Sequence, residues 1–330
     1  MRVKYILKLI PGVKILKTNL QFSREYNHDK KYYKRHYSNS SPLTKNKLSY
    51  IILLTAHSLE KGMSNKSPRR FGIQKTAELM DLVKKYESFG SYENDFAYMN
   101  AINILRGYVN FYKEKGWTDT DEYKNVSLFI KQRKGINKIN AGSFILRKKD
   151  FEKDAKIDFA KFLASRHSVR EFKKAKINES DFKKAVQIAA LSPSACNRQM
   201  CKAYLISNEL KNKRVIKIGQ GFGGFEKDTI NTIIVTFDVN ANCSIGERNQ
   251  GWFNAGLFSM NLVNAMHSLG IGSCFCQFSN SSKEEQSIKE LLNIPVNERI
   301  AVIIACGYYV DECKIPYSPR KSVDDIYRKI

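Results

Sequence analysis

The sequence predicts an α+β fold, in which an all-helical N-terminal region precedes a sheet surrounded by helices. Through residues 47–134, apolar residues recur at spacings of three and four, which is the pattern of amphipathic helices. Beyond residue 150 the pattern changes, and short apolar runs predict four buried strands, at 203–207, 232–237, 273–278 and 300–308. Residues 249–282 contain no Asp, Glu, Lys or Arg, which predicts a buried central helix in this second part.

The apolar spacing also places the individual helices. The first one should end at Lys61 and Gly62, because a cation in the last turn followed by a glycine is a common helix end. The spacing predicts further helices over Ile73–Phe89, Phe96–Tyr112, Phe159–Leu163, Glu179–Leu191 and Trp252–Leu269.

Composition divides the chain into three parts. We expect residues 1–45 to form a basic, partly disordered arm, since the first 50 residues carry 12 Lys or Arg and only 2 Asp or Glu. Within it, the polar and tyrosine-rich residues 18–45 predict a loop or tether. Residues 46–149 are the helical N-terminal region, and residues 150–330 are the sheet-containing domain. A basic arm attracts anionic surfaces, so we expect a weak contact of that kind and no specific nucleic acid.

Cysteine usage and hydropathy indicate a cytoplasmic protein, with a peripheral membrane contact as an open alternative. The seven cysteines include no Cys-x-x-Cys pair, and the basic start of the chain lacks the apolar segment of a signal peptide. No run of 18 apolar residues predicts a membrane span. Residues 1–17 have the composition of a weak basic amphipath that lies on a membrane surface.

Two short strings carry most of the functional information. The first, residues 166–170, puts the guanidinium groups of Arg166 and Arg170 and the hydroxyl of Ser168 within five residues. Arginine presents a rigid fork that matches phosphate oxygens in pairs. The string therefore indicates a phosphate site, although basic pairs of this kind are also common on solvated helix ends.

The second string, residues 192–199, follows another predicted helix. Pro193 fixes the backbone and removes a donor, and Ser194, Asn197 and Gln199 present polar groups from the loop. A flavin ring needs hydrogen bonds along one edge and an apolar surface beneath it, and such a loop supplies the polar groups. The alternative is an ordinary turn whose amides cap a neighbouring helix.

The order of these features resembles the nitroreductase family of FMN-dependent oxidoreductases. The matching set is a helix, the 166–170 string, a second helix, the 192–199 string, the long helix 252–269 with Gly270 to Ser273 after it, and Cys306 to Tyr309. The resemblance covers roughly residues 155–325. One difference is that the family usually has Gln-Pro-Trp after the loop, whereas this chain has Gln199, Met200 and Cys201.

The resemblance implies an FMN site, a homodimer and NAD(P)H as co-substrate. Arg166, Ser168, Arg170 and Arg320 would hold the phosphate and ribityl chain. Pro193, Ser194, Asn197 and Gln199 would lie against the flavin, with Gly272 and Ser273 beside the ring. Because the family's loop usually comes from the second subunit, the two strings would meet across a dimer. We assign no catalytic side chain and no metal.

The implied function is reduction of a small organic electron acceptor by NAD(P)H, or oxidation of a small substrate by the flavin. The alternative is a binding or scaffold protein that has lost turnover and docks to an anionic surface through its basic N-terminus. Met200, Cys201 and the long N-terminal extension keep this alternative open.

Two other motifs point elsewhere and are weaker. Residues 219–224 satisfy the pattern G-x-G-x-x-G, and Asp238 follows 19 residues after Gly219. Only residues 225–230 lie before the next strand, which is too short for the helix of a dinucleotide-binding crossover, so we predict a glycine-rich loop near the mouth of the active site. His57 and Glu60 share a helix face, but a lone pair of this kind is more often structural than a metal site.

Overall fold

The computed structural model describes residues 11–65, 69–143, 158–223, 225–276, 281–313 and 322–330. It has the predicted α+β architecture, with helices first and a four-stranded sheet in the second half. The N-terminal helices are α1 (Pro11–His36), α2 (Lys45–Met63), α3 (Ile73–Glu87), α4 (Phe96–Glu114) and α5 (Asp121–Lys131). The later helices are α6 (Phe159–Ser165), α7 (Glu179–Ala189), α8 (Glu209–Ile218), α9 (Gln250–Ser268), α10 (Ser282–Leu292) and α11 (Val323–Ile326).

Helix α1 corrects the loop predicted for residues 18–45. Its tyrosines bind the second half of the chain: the Tyr32 hydroxyl donates to the carbonyls of Val296 and Glu298, the latter at 2.9 Å. Further along the chain, Ser38 donates its hydroxyl to the Asn242 carbonyl at 2.8 Å. Local composition favours a loop because this stretch is polar, but distant partners stabilise a helix. Residues 1–10 of the predicted arm lie outside the described residues.

The sheet is antiparallel, with strand order β1-β2-β4-β3. Its strands are β1 (Cys201–Leu205), β2 (Asn231–Asp238), β3 (Ile271–Cys276) and β4 (Glu298–Tyr308). All four lie within a few residues of their predicted positions. Helix α9 packs across the sheet and against α7, and these elements share one apolar core. The apolar run at 252–269 is thus a helix that covers the sheet, as its composition indicates.

The N-terminal helices and the sheet also share a core. Met200, Phe237 and Ala255 belong to the same buried apolar cluster as Leu48 of α2 and the interior of α3, α4 and α5. A polar contact crosses the same boundary, because Asn46 of α2 donates its side-chain amide to a carboxylate oxygen of Asp238 at 2.7 Å. Burial raises the pKa of Asp238, and the bonds from Asn46 and the Asn240 amide N–H oppose that shift.

The glycine-rich string at 219–224 is not a dinucleotide-binding turn. A dinucleotide-binding turn follows a strand, but residues 215–218 are the last turn of helix α8. Phe222 within the string and Phe225 after it are buried in the apolar core around β3 and β4. The Arg170 guanidinium carbon lies 6.0 Å from the centre of the Phe225 ring. The string therefore packs beside the first functional string, and Gly224 itself lies outside the described residues.

The described residues hold neither a helix long and apolar enough to cross a membrane nor a cluster of three metal-ligating side chains. His57 and Glu60, the pair with helical spacing, lie 3.2 Å apart through Nδ1 and a carboxylate oxygen. That contact is an ordinary side-chain hydrogen bond on α2.

The shared core predicts that both halves unfold together. The chain has two tryptophans, Trp117 among the N-terminal helices and Trp252 on α9. In the single-tryptophan variants Trp117→Phe and Trp252→Phe, urea unfolding followed by fluorescence should therefore report one midpoint for both halves. Adding Leu48→Ala should destabilise both reporters equally, by about 2–5 kcal/mol.

Leu128→Ala is the matched control for this experiment, because Leu128 is exposed on α5. It should move neither midpoint appreciably. Two separated transitions, or a Leu48→Ala effect confined to the Trp117 reporter, would show that the helical region is an independent unit.

Candidate functional site

The first string begins where helix α6 ends, at the edge of the sheet. Ser168 pairs with Ser273 of β3 in a short parallel bridge, and the Val169 amide donates to the Ser273 carbonyl at 3.0 Å. Because Val169 is buried, its neighbours on either side of the chain alternate away from the core. The fold thus brings Ser168 and Ser273, two predicted site residues, side by side.

Arg166 and Arg170 flank this bridge without carboxylate partners within the described ranges. The Nε atom of Arg166 is buried and has no hydrogen-bond partner there. One terminal nitrogen of Arg170 lies 3.5 Å from the Ser168 carbonyl. Buried guanidinium groups are normally paired, because an unpaired one carries a desolvation penalty. A bound anion would satisfy the buried donor of Arg166.

His267 is a neighbour of Arg166 that the sequence analysis did not select. Its Nε2 lies 2.8 Å from the Ser165 hydroxyl and its Nδ1 lies 2.7 Å from the Tyr309 hydroxyl. Burial, and then the positive charges of Arg166 and His167, lower the pKa of His267. The imidazole is thus kept neutral and joins α6, α9 and the end of β4. In the sequence, His267 could have been selected as the one titratable side chain in a helix that has no Asp, Glu, Lys or Arg.

Gly272 lies against two aromatic rings, which leave no room for a side chain at this position. A Cβ added there would lie 2.9 Å from Cε1 of Tyr309, and 3.4 Å from a ring carbon of Phe172. A Cβ added to Gly307 on the neighbouring strand would lie still closer to Phe172, at 2.6 Å from its Cβ. Small residues at these two positions let the aromatic rings lie on the sheet. A contact between Gly272 and a flavin stays a prediction.

The second string lines a cavity of about 400 Å³ between α7, β1 and α9. Its walls include Pro193, Ser194 and Gln199 of the predicted set, together with Val186, Ala190, Ser192, Met200, Cys201, Lys202, Ala203, Tyr204, Asn254 and Phe258. The Gln199 amide N–H donates to the Ser194 hydroxyl at 3.0 Å. Asn197 is exposed on the same loop and has a positive φ of 52°, a conformation that asparagine tolerates better than most residues.

A buried arginine within this loop holds it in place. Arg198 is fully buried, and its two terminal nitrogens donate to Glu247 at 2.8 and 2.9 Å. It also donates to the carbonyls of Ala195, at 2.8 Å, and Ala241. Burial alone would raise the pKa of Glu247, but hydrogen bonds from Arg198 and the Cys243 amide lower it. In the sequence Arg198 is one basic residue among 56, and nothing local marks it as buried.

Met200 and Cys201, which differ from the usual family residues, serve packing. Met200 is 1% exposed, and its sulfur accepts a hydrogen bond from the Asn254 amide nitrogen at 3.5 Å. It lies in the core that the sheet shares with the N-terminal helices. Burial raises the pKa of Cys201 to about 12, so its thiol stays protonated near neutral pH.

The two strings contact different parts of helix α9. Met200 and Ser192, at the two ends of the loop, contact Asn254 and Asn261, whereas Ser165, beside Arg166, contacts His267 near the end of the helix. The nearest of these helix positions, Asn261 and His267, are six residues apart. At 1.5 Å per residue their separation is about 9 Å along the axis. The two strings are thus displaced from one another along α9.

Helix α9 leaves an apolar face open. Phe253 is 63% exposed and Met260 is 40% exposed, although both sit on the helix that covers the sheet. Between them, a Cβ added to Gly256 would meet no atom within 4 Å. Leu191, at the end of α7, is 82% exposed. Exposed apolar residues grouped in this way are typical of an interaction surface.

Arg320, predicted near the phosphate, lies outside the described residues, so the structure gives it no position. The other nine predicted residues divide into two groups, one around Arg166, Ser168, Arg170, Gly272 and Ser273 and one on the 193–199 loop.

The buried pair in the loop predicts an asymmetric stability effect. Arg198→Met removes the bidentate partner of Glu247 and should lower the free energy of unfolding by about 3–5 kcal/mol, measured by urea denaturation. The double variant Arg198→Met, Glu247→Gln should recover part of this loss, because no charge is then left unpaired. Arg70→Met is the control: its pair with Asp119 is exposed and should contribute less than about 1 kcal/mol. An Arg198 effect as small as the Arg70 effect would contradict the structural role.

Known proteins with similar sequences match the C-terminal part of this chain. Residues 163–220 and 232–308 match the model of the nitroreductase family. A protein of Archaeoglobus fulgidus named as an NADH dehydrogenase/NAD(P)H nitroreductase is 25% identical over 153 residues, which are 46% of this chain and 86% of that protein. A protein of the same name from Methanothermobacter thermautotrophicus is 23% identical over 158 residues, 47% of this chain and 80% of that protein.

Solved structures similar to this chain include two nitroreductases. The FMN-dependent nitroreductase of Clostridium difficile R20291 is 21% identical, with 51% of this chain and 98% of that chain covered at a TM-score of 0.44. A nitroreductase family protein of Streptococcus pneumoniae is 24% identical, with 52% of this chain and all (100%) of that chain covered at a TM-score of 0.44.

The ranges that match the family contain both strings, helix α9 and strands β3 and β4. The N-terminal helices α1 to α5 lie outside them. A domain that matches the nitroreductase family model therefore occupies the C-terminal part of this chain.

Proposed function

We propose that this protein is an FMN-dependent oxidoreductase that uses NAD(P)H to reduce a small organic acceptor, or a flavin to oxidise a small substrate, at the interface of a homodimer. A nitroreductase-family domain implies the FMN and NAD(P)H chemistry at the coarse level. The observation that carries the proposal is the buried Nε of Arg166, which has no hydrogen-bond partner among the described residues, with Arg170 and the Ser168–Ser273 bridge beside it.

The residues present fit the phosphate of FMN. The buried Nε of Arg166 lacks an acceptor among the described residues, and a phosphate oxygen would supply one. Arg170 packs near the Phe225 ring and has no carboxylate partner within the described residues, so its guanidinium group would also reach the phosphate. His267, kept neutral between Ser165 and Tyr309, adds no competing charge beside Arg166. Bidentate arginine contacts of this kind bind and orient a phosphate.

The loop and its cavity fit the ring. Ser194, Asn197 and Gln199 would offer hydrogen bonds to the polar edge, and Pro193 with the apolar cavity wall would exclude water. Arg198 and Met200 hold this loop rigid from behind, which orients the polar groups before binding. When bound, FMN supplies the capacity to accept and pass on hydride, and the protein contributes binding, orientation and exclusion of water.

The family resemblance and the open face of α9 support a homodimer. Because the family's loop usually comes from the second subunit, one site would take the first string of one subunit and the loop of the other. The open face of α9 around Gly256 is apolar and is the surface on which a two-fold contact would pack. We place this enzyme in the cytoplasm, where its seven free cysteines would stay reduced.

Flavin retention tests the phosphate role. The purified protein should show the visible absorbance of bound FMN, and Arg166→Ala with Arg170→Ala should remove it, because each buried arginine–phosphate contact is worth about 2–5 kcal/mol. Arg214→Ala, on the exposed face of α8, is the matched control and should keep full flavin. Normal flavin content in the double variant would remove the assigned role.

The same preparation tests turnover. Stopped-flow mixing with NADH or NADPH should bleach the bound flavin. A bound flavin that neither nucleotide reduces would favour the alternative of a binding or scaffold protein without turnover.

Mixing two defective subunits tests the shared site. One subunit carries Arg166→Ala and Arg170→Ala, and the other carries Ser194→Trp in the loop. If each site takes one string from each subunit, the mixed dimer has one intact site and should recover about half of the flavin per dimer. No recovery in a confirmed mixed dimer would mean that both strings serve the same site from one chain.

The dimer surface has its own test. Gly256→Leu should shift the protein towards monomer in sedimentation analysis, because the side chain would occupy the face that the partner needs. Gln286→Leu, exposed on α10, adds a similar side chain elsewhere and should leave the assembly unchanged. Equal behaviour of the two variants would place the interface away from Gly256.

A further inference from the structure

A second cavity, lined by basic residues, lies between helices α1 and α10 and includes no residue of either string. Its volume is about 380 Å³, within the range of about 300–1,000 Å³ that small-molecule sites occupy. It is lined by His28, Lys31, Tyr32, Arg35 and His36 of α1, by Ser282, Glu285, Gln286 and Lys289 of α10, and by Val296. The lining thus contains three permanent cations and two imidazoles.

The only carboxylate in this lining is already neutralised. Glu285 accepts from the Arg299 side chain at 2.9 and 3.1 Å, and from the Ile300 amide at 2.9 Å. Arg299 is paired with Asp29 as well, at 2.9 Å. Glu285 and Asp29 therefore share one guanidinium group, and neither forms an ion pair with Lys31, Arg35 or Lys289 in the described part of the chain.

Lys289 is the most deeply buried of these cations. Its side chain is 3% exposed, and its ammonium group donates to two neutral acceptors, the Tyr32 hydroxyl at 3.2 Å and the Val296 carbonyl at 2.9 Å. Within the described residues it makes no ion pair. A buried ammonium without an anion is costly, because the lost hydration is only partly replaced. An anion in the cavity would supply the missing charge.

Helix α1 presents the other cations on the same side. Lys31 and Arg35 are four residues apart, one helical turn, and neither lies in an ion pair among the described residues. Positive potential in the cavity is also evident at His36, since burial, followed by Lys289, Arg35 and Lys47, lowers its pKa to about 4. Nδ1 of His28, beside these groups, is buried without a hydrogen-bond partner in the described part of the chain.

We propose that this cavity, which we name the α1–α10 pocket, binds the phosphate group of a small phosphorylated molecule. Lys289 forms the floor, and Lys31 and Arg35 close over the anion from the rim. A phosphate fits better than a monocarboxylate because it carries two negative charges and several acceptor oxygens, which can pair with three cations at once. The inference does not depend on the flavin site, which lies at other elements of the fold.

Calorimetric titration of the full chain with pyrophosphate tests the proposal. The titration uses the Arg166→Ala, Arg170→Ala background, so that the first string cannot contribute an anion site. We expect one saturable site per chain at physiological salt. Lys31→Ala with Arg35→Ala should weaken it at least about tenfold, and Lys289→Met should abolish it. Lys34→Ala, which removes a cation of the same helix that does not line the pocket, should leave binding unchanged.

A second readout guards against a folding defect in the Lys289 variant. In the unmodified pocket, bound pyrophosphate should raise the pKa of His36, followed by NMR titration of its ring proton, because the anion offsets the nearby positive charges. Absence of saturable binding, an unmoved His36 titration, or equal weakening by Lys34→Ala and by the rim variant would each overturn the proposal.

The phosphate could belong to a soluble molecule or to a lipid headgroup, and vesicles distinguish these sources. Phosphatidylcholine vesicles that contain phosphatidic acid should bind the protein through Lys31 and Arg35 if the natural ligand is a lipid phosphate. Phosphatidylserine vesicles of matched charge control for general attraction to the basic N-terminus. Binding that the rim variant loses only on phosphatidic acid assigns the lipid source, whereas pyrophosphate binding without it assigns a soluble ligand.

Discussion

The fixed position of the 192–201 loop against helix α9 is the constraint on which the candidate site depends. Ser192 accepts a hydrogen bond from the Asn261 amide nitrogen at 2.8 Å at the start of the loop, and Met200 accepts one from Asn254 at its end. Between these points Arg198 is buried and bonded to Glu247. A loop held at three points keeps its polar groups at a fixed place along α9, displaced from the arginines beside the last turn of the helix.

The N-terminal helices belong to this arrangement because they form the other wall of the loop. Met200 is buried in the core that they share with the sheet, and Asp238 at the end of β2 binds Asn46 of α2. A tryptophan or proline at position 200 would not reproduce the thioether's fit or its contact with Asn254. The extension thus accounts physically for the residues in which this chain departs from the usual family sequence.

Much of the fold was predictable because it rests on local patterns. Apolar periodicity placed α3, α4, α7, α9 and the four strands within a few residues, since each buries one face or is buried throughout. Helix α1 was missed because its contacts are distant: Tyr32, and Ser38 just after the helix, bond to residues more than 200 positions away. Helices α8 and α10, both rich in charged residues, were not predicted individually.

The sequence by itself determined the fold class, the family resemblance and the two strings, because residue type and spacing are local properties. Only the tertiary structure decided that Ser168 lies beside Ser273, that Arg198 binds Glu247 while the Nε of Arg166 has no partner among the described residues, and that the strings lie at different positions along α9. Guanidinium groups look alike in a sequence. Whether one is buried beside a carboxylate, buried without one, or exposed on a helix depends on neighbours that the chain brings together only when it folds.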